Sequence, residues 1–294
     1  MAKIDYFTEE RSAETVNARM GKAINPRLRE VMTSLIKHLH SFVKDVELTQ
    51  AEWEASIDFL TRTGQMCDAQ RQEFILLSDT LGVSMLVDAI QHRRPEPATE
   101  NTVFGPFHVD GAPILDMGAN ISLDGKGEPC LYEGRVLDLD GNPIAGARID
   151  VWSDNSEGFY DVQQPGQQPT WNNRGVFITG ADGRYWFTGI KPVSYAIPDD
   201  GPVGEMLSAL GRHPWRPAHM HFMLNHPKFE RIVTHTFVSG DFYLMSDAVF
   251  GVKDSLILDY SPSISTEVKW KADFDFWMVN KNSQKLCHLK AVEN

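Results

Sequence analysis

Residues 130–152 read CLYEGRVLDLDGNPIAGARIDVW. Two short runs rich in β-branched and aromatic residues, Cys130–Leu137 and Ala147–Trp152, flank the turn signal Asp140-Gly141. Such a pattern predicts two strands joined by a tight connection. The same texture continues toward the C-terminus. Gly175–Thr179 and Arg184–Ile190 read as strands around Asp182-Gly183, and Val233–Val238 and Ser255–Leu258 are further candidates. Val268, Trp270, Ala272, Phe274 and Phe276 alternate with Lys269, Lys271, Asp273 and Asp275, which predicts a half-buried strand. Many short strands separated by turns point to an antiparallel β-sandwich or barrel. Two stretches, Asn155–Asn173 and Pro198–Pro217, read as long loops, and loops of that length in a compact domain are usually functional.

Upstream of about residue 100 the texture is helical. Asn25 is placed to cap a helix with Pro26 at its first position. Leu28, Val31, Met32, Leu35, Leu39, Phe42, Val43 and Val46 then recur at three- and four-residue spacing, the apolar face of a long amphipathic helix. Thr49 and Glu52 form a capping-box pattern ahead of Trp53, Ile57 and Leu60. A third helix starts near Asp68 and runs through Phe74, Leu77, Leu81 and Met85 to about Ile90; Pro95 and Pro97 end the pattern. The expected architecture is mainly β with a helical N-terminal part: a helical domain over 1–100 and a β-sandwich over 101–294.

Composition narrows the function classes. The 294 residues carry 28 Lys and Arg against 40 Asp and Glu, a net charge of 28 − 40 = −12, which gives no electrostatic case for nucleic-acid binding. No apolar run is long enough to span a bilayer, and the N-terminus lacks a basic-then-apolar secretion signal. Cys67, Cys130 and Cys287 are scattered, with no CxxC, which predicts reduced thiols in a cytoplasmic protein. The glycine-rich nucleotide loops, HExxH and GxSxG are all missing from the sequence.

The densest chemical signal is Arg216-Pro217-Ala218-His219-Met220-His221-Phe222. On a strand, residues i and i+2 project from one face, so His219 and His221 could reach one metal ion. By itself His-x-His is a weak signal, more often marking surface or core histidines than a metal site. No carboxylate nearby completes a two-histidine, one-carboxylate iron site. Tyrosine is the other candidate ligand. Tyr160 and Tyr195 both lie in Gly- or Pro-rich loops that follow strands, where a packing role would look the same.

Taken together these stretches resemble the intradiol ring-cleaving dioxygenases. The match runs through Gly134-Arg135-Val136, Asp140-Gly141-Asn142-Pro143-Ile144-Ala145-Gly146-Ala147, Asp150-Val151-Trp152 and Gly158-Phe159-Tyr160. It continues with Tyr195-Ala196-Ile197-Pro198-Asp199-Asp200-Gly201-Pro202 and Arg216–His221, in the family's order. The helical third and Thr99–Phe107 also look like the catechol-type branch. The resemblance implies one Fe(III) per subunit held by Tyr160, Tyr195, His219 and His221. The residue types suit that ion: phenolate is a hard anionic donor, and two phenolates plus one hydroxide balance a trivalent cation, so the centre can be buried. It further implies a catecholic substrate bound as a dianion. Tyr195 would be the axial ligand it displaces, opposite His221, with Tyr160 and His219 equatorial. O2 then attacks the ring, both its atoms enter the product, and a muconate results. Arg216 would stabilise negative charge on the activated ring; an ion pair inside an acidic protein is its plainer reading.

Within the family, Thr234–Val238 and Ser246–Lys253 look more like the hydroxyquinol and chlorocatechol branches than the plain catechol branch, and chlorocatechol enzymes tend to be shorter chains. The implied substrate is hydroxyquinol (benzene-1,2,4-triol), with catechol or a chlorocatechol as the alternative. Asp79 is the candidate partner for the third hydroxyl. Leu76, Val103, Phe104, Gly105, Pro106, Phe107, Ile197, Pro198 and Val249 are the implied pocket wall, together with Arg216. The resemblance also implies a homodimer through the N-terminal helices, in some members enclosing phospholipid. Two competing classes make different predictions. A non-catalytic β-sandwich binding module predicts no metal and no colour, and a zinc hydrolase built on His219 and His221 predicts zinc and indifference to oxygen.

Overall fold

The computed structural model describes residues 6–21, 25–68 and 71–282; Cys287 lies outside them. The chain divides into two compact units, Met1–Gln65 and Met66–Asn294. The first unit holds α1 (Ser12–Ala18), α2 (Pro26–Asp45) and α3 (Gln50–Gln65). Pro26 opens α2 as expected, and Asn25 Oδ1 accepts the N–H groups of Arg27 and Leu28 at 2.8 and 3.3 Å. The capping box is formed as well: Thr49 N–H donates to Glu52 Oε2 (2.9 Å), and Glu52 N–H to Thr49 Oγ1 (3.3 Å). The apolar stripe of α2 is not consumed by packing. Leu28, Val31, Leu35, Leu39, Phe42, Val43 and Val46 are each 44–54% exposed in the single chain.

The second unit opens with α4 (Glu73–Thr80) and α5 (Val83–Gln91) where the periodicity predicted one helix. The break is at Gly82, whose φ of +74° ends one helix and starts the next. An apolar period carries no mark of such a turn when the residues on both sides keep the same spacing. Twelve strands are found among the described residues. β1 (Pro129–Asp138), β2 (Arg148–Trp152), β3 (Arg174–Ile178) and β4 (Arg184–Ile190) come first; β5 (Tyr195–Ala196), α6 (Pro202–Ala209) and β6 (Trp215–Arg216) follow. β7 (His219–His226), β8 (Phe229–Val238), β9 (Ile257–Leu258), β10 (Ser261–Pro262), β11 (Trp270–Asp273) and β12 (Phe276–Met278) complete the series. The stretch 198–217 is therefore not all loop. α6 and β6 are too short to show a period, and only Pro202 at a first helical position hints at the helix.

Two five-stranded sheets face one another. One runs β10-β11-β1-β12 with β4 on the other side of β1; the other runs β3-β2-β7-β8-β9. Tyr132, Val136, Phe187 and Phe276 from the first meet Ile149, Val151, Phe177, Phe222 and Leu224 from the second in one buried cluster. Most pairings are antiparallel, but β1 runs parallel to β11 and β12, and β8 to β9. The expected C-terminal strand is split in two, β11 against Cys130–Glu133 and β12 against Val136–Asp138. Gly134 sits between, where an added Cβ would come within 1.8 Å of the Phe274 carbonyl oxygen.

Strand alternation decides where the chemistry sits. On β7, Met220, Phe222 and Leu224 enter the sandwich core, so His219, His221 and Met223 face the other way. On β2, Ile149 and Val151 face in, and Trp152 joins the outer cluster. That second cluster gathers Tyr160, Tyr195, Ile197, Val103, Val249 and Met85, with Leu76 and Phe107 packed against it.

Candidate metal centre

Register brings distant residues into one row across the second sheet. Arg174 on β3 pairs with Trp152 on β2, Trp152 with His221 on β7, and His221 with His235 on β8. The neighbouring pair is His219 with Phe237. Tyr160 arrives from the loop after β2 and Tyr195 from β5, whose partner in the small β5–β6 ladder is Arg216.

The four expected ligands converge. Ring centroids are 5.6 Å apart for Tyr160 and Tyr195, 5.4 Å for Tyr195 and His219, 4.8 Å for His219 and His221, and 5.8 Å for His221 and Tyr160. All four side chains are buried. Tyr160 Oη lies 2.8 Å from His221 Nε2. His219 Nδ1 lies 2.7 Å from the Pro217 carbonyl oxygen, a bond that requires the proton on Nδ1 and leaves the Nε2 lone pair for another partner. His221 Nδ1 is buried with no hydrogen-bond partner.

Electrostatics favour ligand protonation states on the histidines. Burial, then the Arg216 charge, lowers His219 to about 3, and burial also holds His221 and His235 well below the usual imidazole range. They are neutral and can donate lone pairs. Burial raises Tyr160 and Tyr195, so each is a phenol unless a cation stabilises its anion. Two buried phenols that must ionise together beside two neutral imidazoles fit a hard trivalent cation.

Arg216 is fixed on one side and free to act on the other. Its Nε and Nη2 donate to the two oxygens of Asp247 at 3.1 and 3.3 Å. Nη1 lies 3.5 Å from Tyr195 Oη and 3.2 Å from His219 Nε2, and Nη2 lies 3.4 Å from His235 Nδ1. Burial opposes the charge on Asp247, but the guanidinium outweighs it and holds the carboxyl below its ordinary range. Arg216 is thus ion-paired with Asp247 and also lies against Tyr195 and His219.

The sequence did not single out Asp247, which is 31 residues from Arg216. It also passed over Trp152, whose ring stacks on His221 at 4.6 Å. His235 is the third member of a histidine group whose ligating atoms lie within 4.8 Å of one another. A buried arginine requires a carboxylate, but nothing in spacing says which of forty acids supplies it.

The expected pocket residues are partly assembled. Leu76, Val103, Phe107, Ile197 and Val249 belong to the same cluster as the two tyrosines, and Phe107 stacks on Tyr160 at 4.4 Å. Gly105, at φ +74°, lies so close to His221 that an added Cβ would be 3.2 Å from its Cε1. Phe104 packs edge-on to Trp152 at 5.9 Å and is 41% exposed. Pro198 is half-buried and Pro106 exposed. Asp79, half-buried on α4, has its carboxyl raised by burial, against a Ser84 hydrogen bond and the Arg216 charge, which lower it.

Comparison with known proteins agrees with this geometry. Residues 25–99 match the family model described as catechol dioxygenase N terminus, and 103–280 the model described as dioxygenase. A hydroxyquinol 1,2-dioxygenase from a Rhizobium sp. is 61% identical over 87% of this chain and 86% of its own length. The chain belongs to the intradiol ring-cleavage dioxygenases. A 6-chlorohydroxyquinol 1,2-dioxygenase from Cupriavidus pinatubonensis is 52% identical, over 92% of this dioxygenase and 97% of its own chain. The crystal structure of hydroxyquinol 1,2-dioxygenase from Pseudomonas putida superposes with a TM-score of 0.89 at 48% identity, covering 93% of this dioxygenase and 99% of that chain. Mainly β architecture with a helical N-terminal part is therefore the family's, as the sequence led one to expect. No helix among the described residues is long and apolar enough to cross a membrane.

Proposed function

We propose that this dioxygenase binds one Fe(III) per subunit through Tyr160, Tyr195, His219 and His221 and cleaves hydroxyquinol between its vicinal hydroxyls, giving 3-hydroxy-cis,cis-muconate or its tautomer maleylacetate. The observation that carries this reading is the closed ring of two phenols and two imidazoles with the Arg216 guanidinium against it. Held by these four residues, the ion would supply Lewis-acid chemistry that polarises the catecholic substrate.

The protein's own groups do the rest. Burial favours the neutral phenol of Tyr195, so a phenolate there would serve as a base for a proton of the incoming substrate. Arg216, locked by Asp247, presents Nη1 to the place where negative charge develops. His235 accepts from Nη2 and keeps the guanidinium plane in orientation. Trp152 and Phe107 hold His221 and Tyr160 by stacking and exclude water. Leu76, Val103, Phe104, Gly105, Pro106, Phe107, Ile197, Pro198 and Val249 form the wall for a flat ring, and Asp79 bonds the third hydroxyl.

The chain works in the cytoplasm as a homodimer. The helical part, 1–100, makes the interface through the half-exposed stripe of α2, which also suits a phospholipid tail, and 101–294 carries catalysis. The reading is tested by oxygen uptake of iron-loaded protein, comparing kcat/KM for hydroxyquinol, catechol and 4-chlorocatechol. Preference for hydroxyquinol supports it. Preference for another catechol moves the substrate and keeps the chemistry, and no uptake with any of the three despite bound iron overturns the reading. Zinc in place of iron in a colourless protein would favour a hydrolase built on His219 and His221.

A further inference from the structure

We propose that Asp161 and Arg174 are a positioning pair that sets the Tyr160 oxygen against His221; the proposal rests on reading Tyr160 as an iron ligand. Asp161 follows Tyr160 directly and opens the 3₁₀ turn Asp161–Gln163. Its Oδ1 accepts from Arg174 Nε at 2.6 Å and from the Val162 N–H at 2.9 Å. Its Oδ2 accepts the Trp171 N–H at 3.1 Å. One carboxylate therefore ties the turn just after Tyr160 to the far end of the same loop. The tyrosine's own N–H donates to Gln163 Oε1 at 2.9 Å, closing the turn from the other side.

Arg174 supplies the fixed reference. It begins β3 and occupies the row Arg174–Trp152–His221–His235, so the cation is built into the same sheet that holds the histidines. Both partners are nearly inaccessible, 2% exposed for the arginine side chain and 7% for the aspartate. Arg174 Nη2 is buried without a hydrogen-bond partner. The turn that leads into Arg174 is strained as well. Trp171 adopts a φ of +68°, a left-handed value that a bulky residue takes at a cost. An unsatisfied buried donor and a strained Trp171, next to a ligand-bearing loop, are what a device for holding one oxygen atom in place requires. Packing alone needs neither.

The test uses the iron-loaded full chain. The double variant Asp161→Asn/Arg174→Gln removes both charges at once, so neither is left buried alone. The readouts are the tyrosinate-to-iron charge-transfer absorption, the rate of iron loss to a chelator, melting temperature, and kcat and KM separately. The expected result is a shifted and weakened band, iron loss faster by roughly ten- to hundred-fold, and a fall in kcat larger than any change in KM. Arg174→Lys, which keeps the charge and loses the fork, is expected to restore part of the band, and it carries the same test should the double variant not fold. A lowered melting temperature with unchanged band and iron release would make the pair merely structural and overturn the proposal. Tyr160→Phe is the control. A band unchanged in that variant would remove Tyr160 from the ligand set, and the positioning role with it.

Discussion

Arg216 shows how one residue serves structure and chemistry together. Asp247 engages two of its three nitrogens, so Nη1 is aimed without entropy to lose at the moment of reaction. Arg216→Lys keeps a positive charge but cannot reach Asp247, Tyr195 and His219 at once. The expected outcome in steady-state oxygen uptake is a kcat lower by roughly 10²- to 10³-fold, with KM changed much less. Asp79→Ala is expected to lower the kcat/KM ratio of hydroxyquinol over catechol by about ten- to hundred-fold, the worth of a hydrogen bond to a charged or strongly polar group. An unchanged ratio would remove Asp79 from the substrate. The histidines give a pH prediction for the iron-free protein. His219 titrates near 3 when folded and near 6.5 when unfolded, so below about 6.5 the unfolded chain takes up the proton and the folded one does not. Stability therefore falls as pH drops through that window, by about 1.4 kcal/mol per pH unit, with His221 and His235 adding in the same direction. Denaturant titrations at pH 7.5 and 5.5 measure it, and equal midpoints would contradict neutral buried imidazoles. The His219/His221 spacing was legible in the sequence because strand alternation is a local rule. The roles of Asp247, Trp152 and Arg174 were not, because each depends on which strands become neighbours.

At the scale of elements, what the sequence showed was period and turn chemistry. The Asn25 cap, the Thr49–Glu52 box and β4 at Arg184–Ile190 all stand where the pattern put them. Its misses have two causes: elements too short to show a period, as in α6 and β6, and breaks that leave the apolar spacing intact. Gly82 divides the third helix, and the C-terminal strand divides into β11 and β12 because β1 changes partner at Gly134. Gly134→Ala tests that account. Its Cβ would meet the Phe274 carbonyl at 1.8 Å, a backbone atom that cannot rotate aside. The expected cost is about 3 kcal/mol or more in chemical denaturation, far above an ordinary surface Gly→Ala change. A variant as stable as the parent would mean that β11 and β12 do not hold this register.

For the whole molecule, the division of labour follows from where apolar surface is left over. The sandwich buries its own core, while α2 keeps a stripe of seven large apolar residues about half exposed. In the homodimer proposed above, a second copy of this chain would cover that face. Leu35→Glu together with Leu39→Glu is expected to shift the protein to monomer in sedimentation at micromolar concentration while the β unit stays folded by circular dichroism. A dimer that persists would place the interface elsewhere. The claim on which all else rests is that the buried ring of two tyrosines and two histidines directs both atoms of O2 into an opened substrate ring. Turnover of hydroxyquinol under ¹⁸O₂, with mass analysis of the product, tests it most directly. The account predicts a ring opened between the vicinal hydroxyls and carrying two labelled oxygens. A product without label, or one opened beside the hydroxyl pair instead of between them, would contradict it.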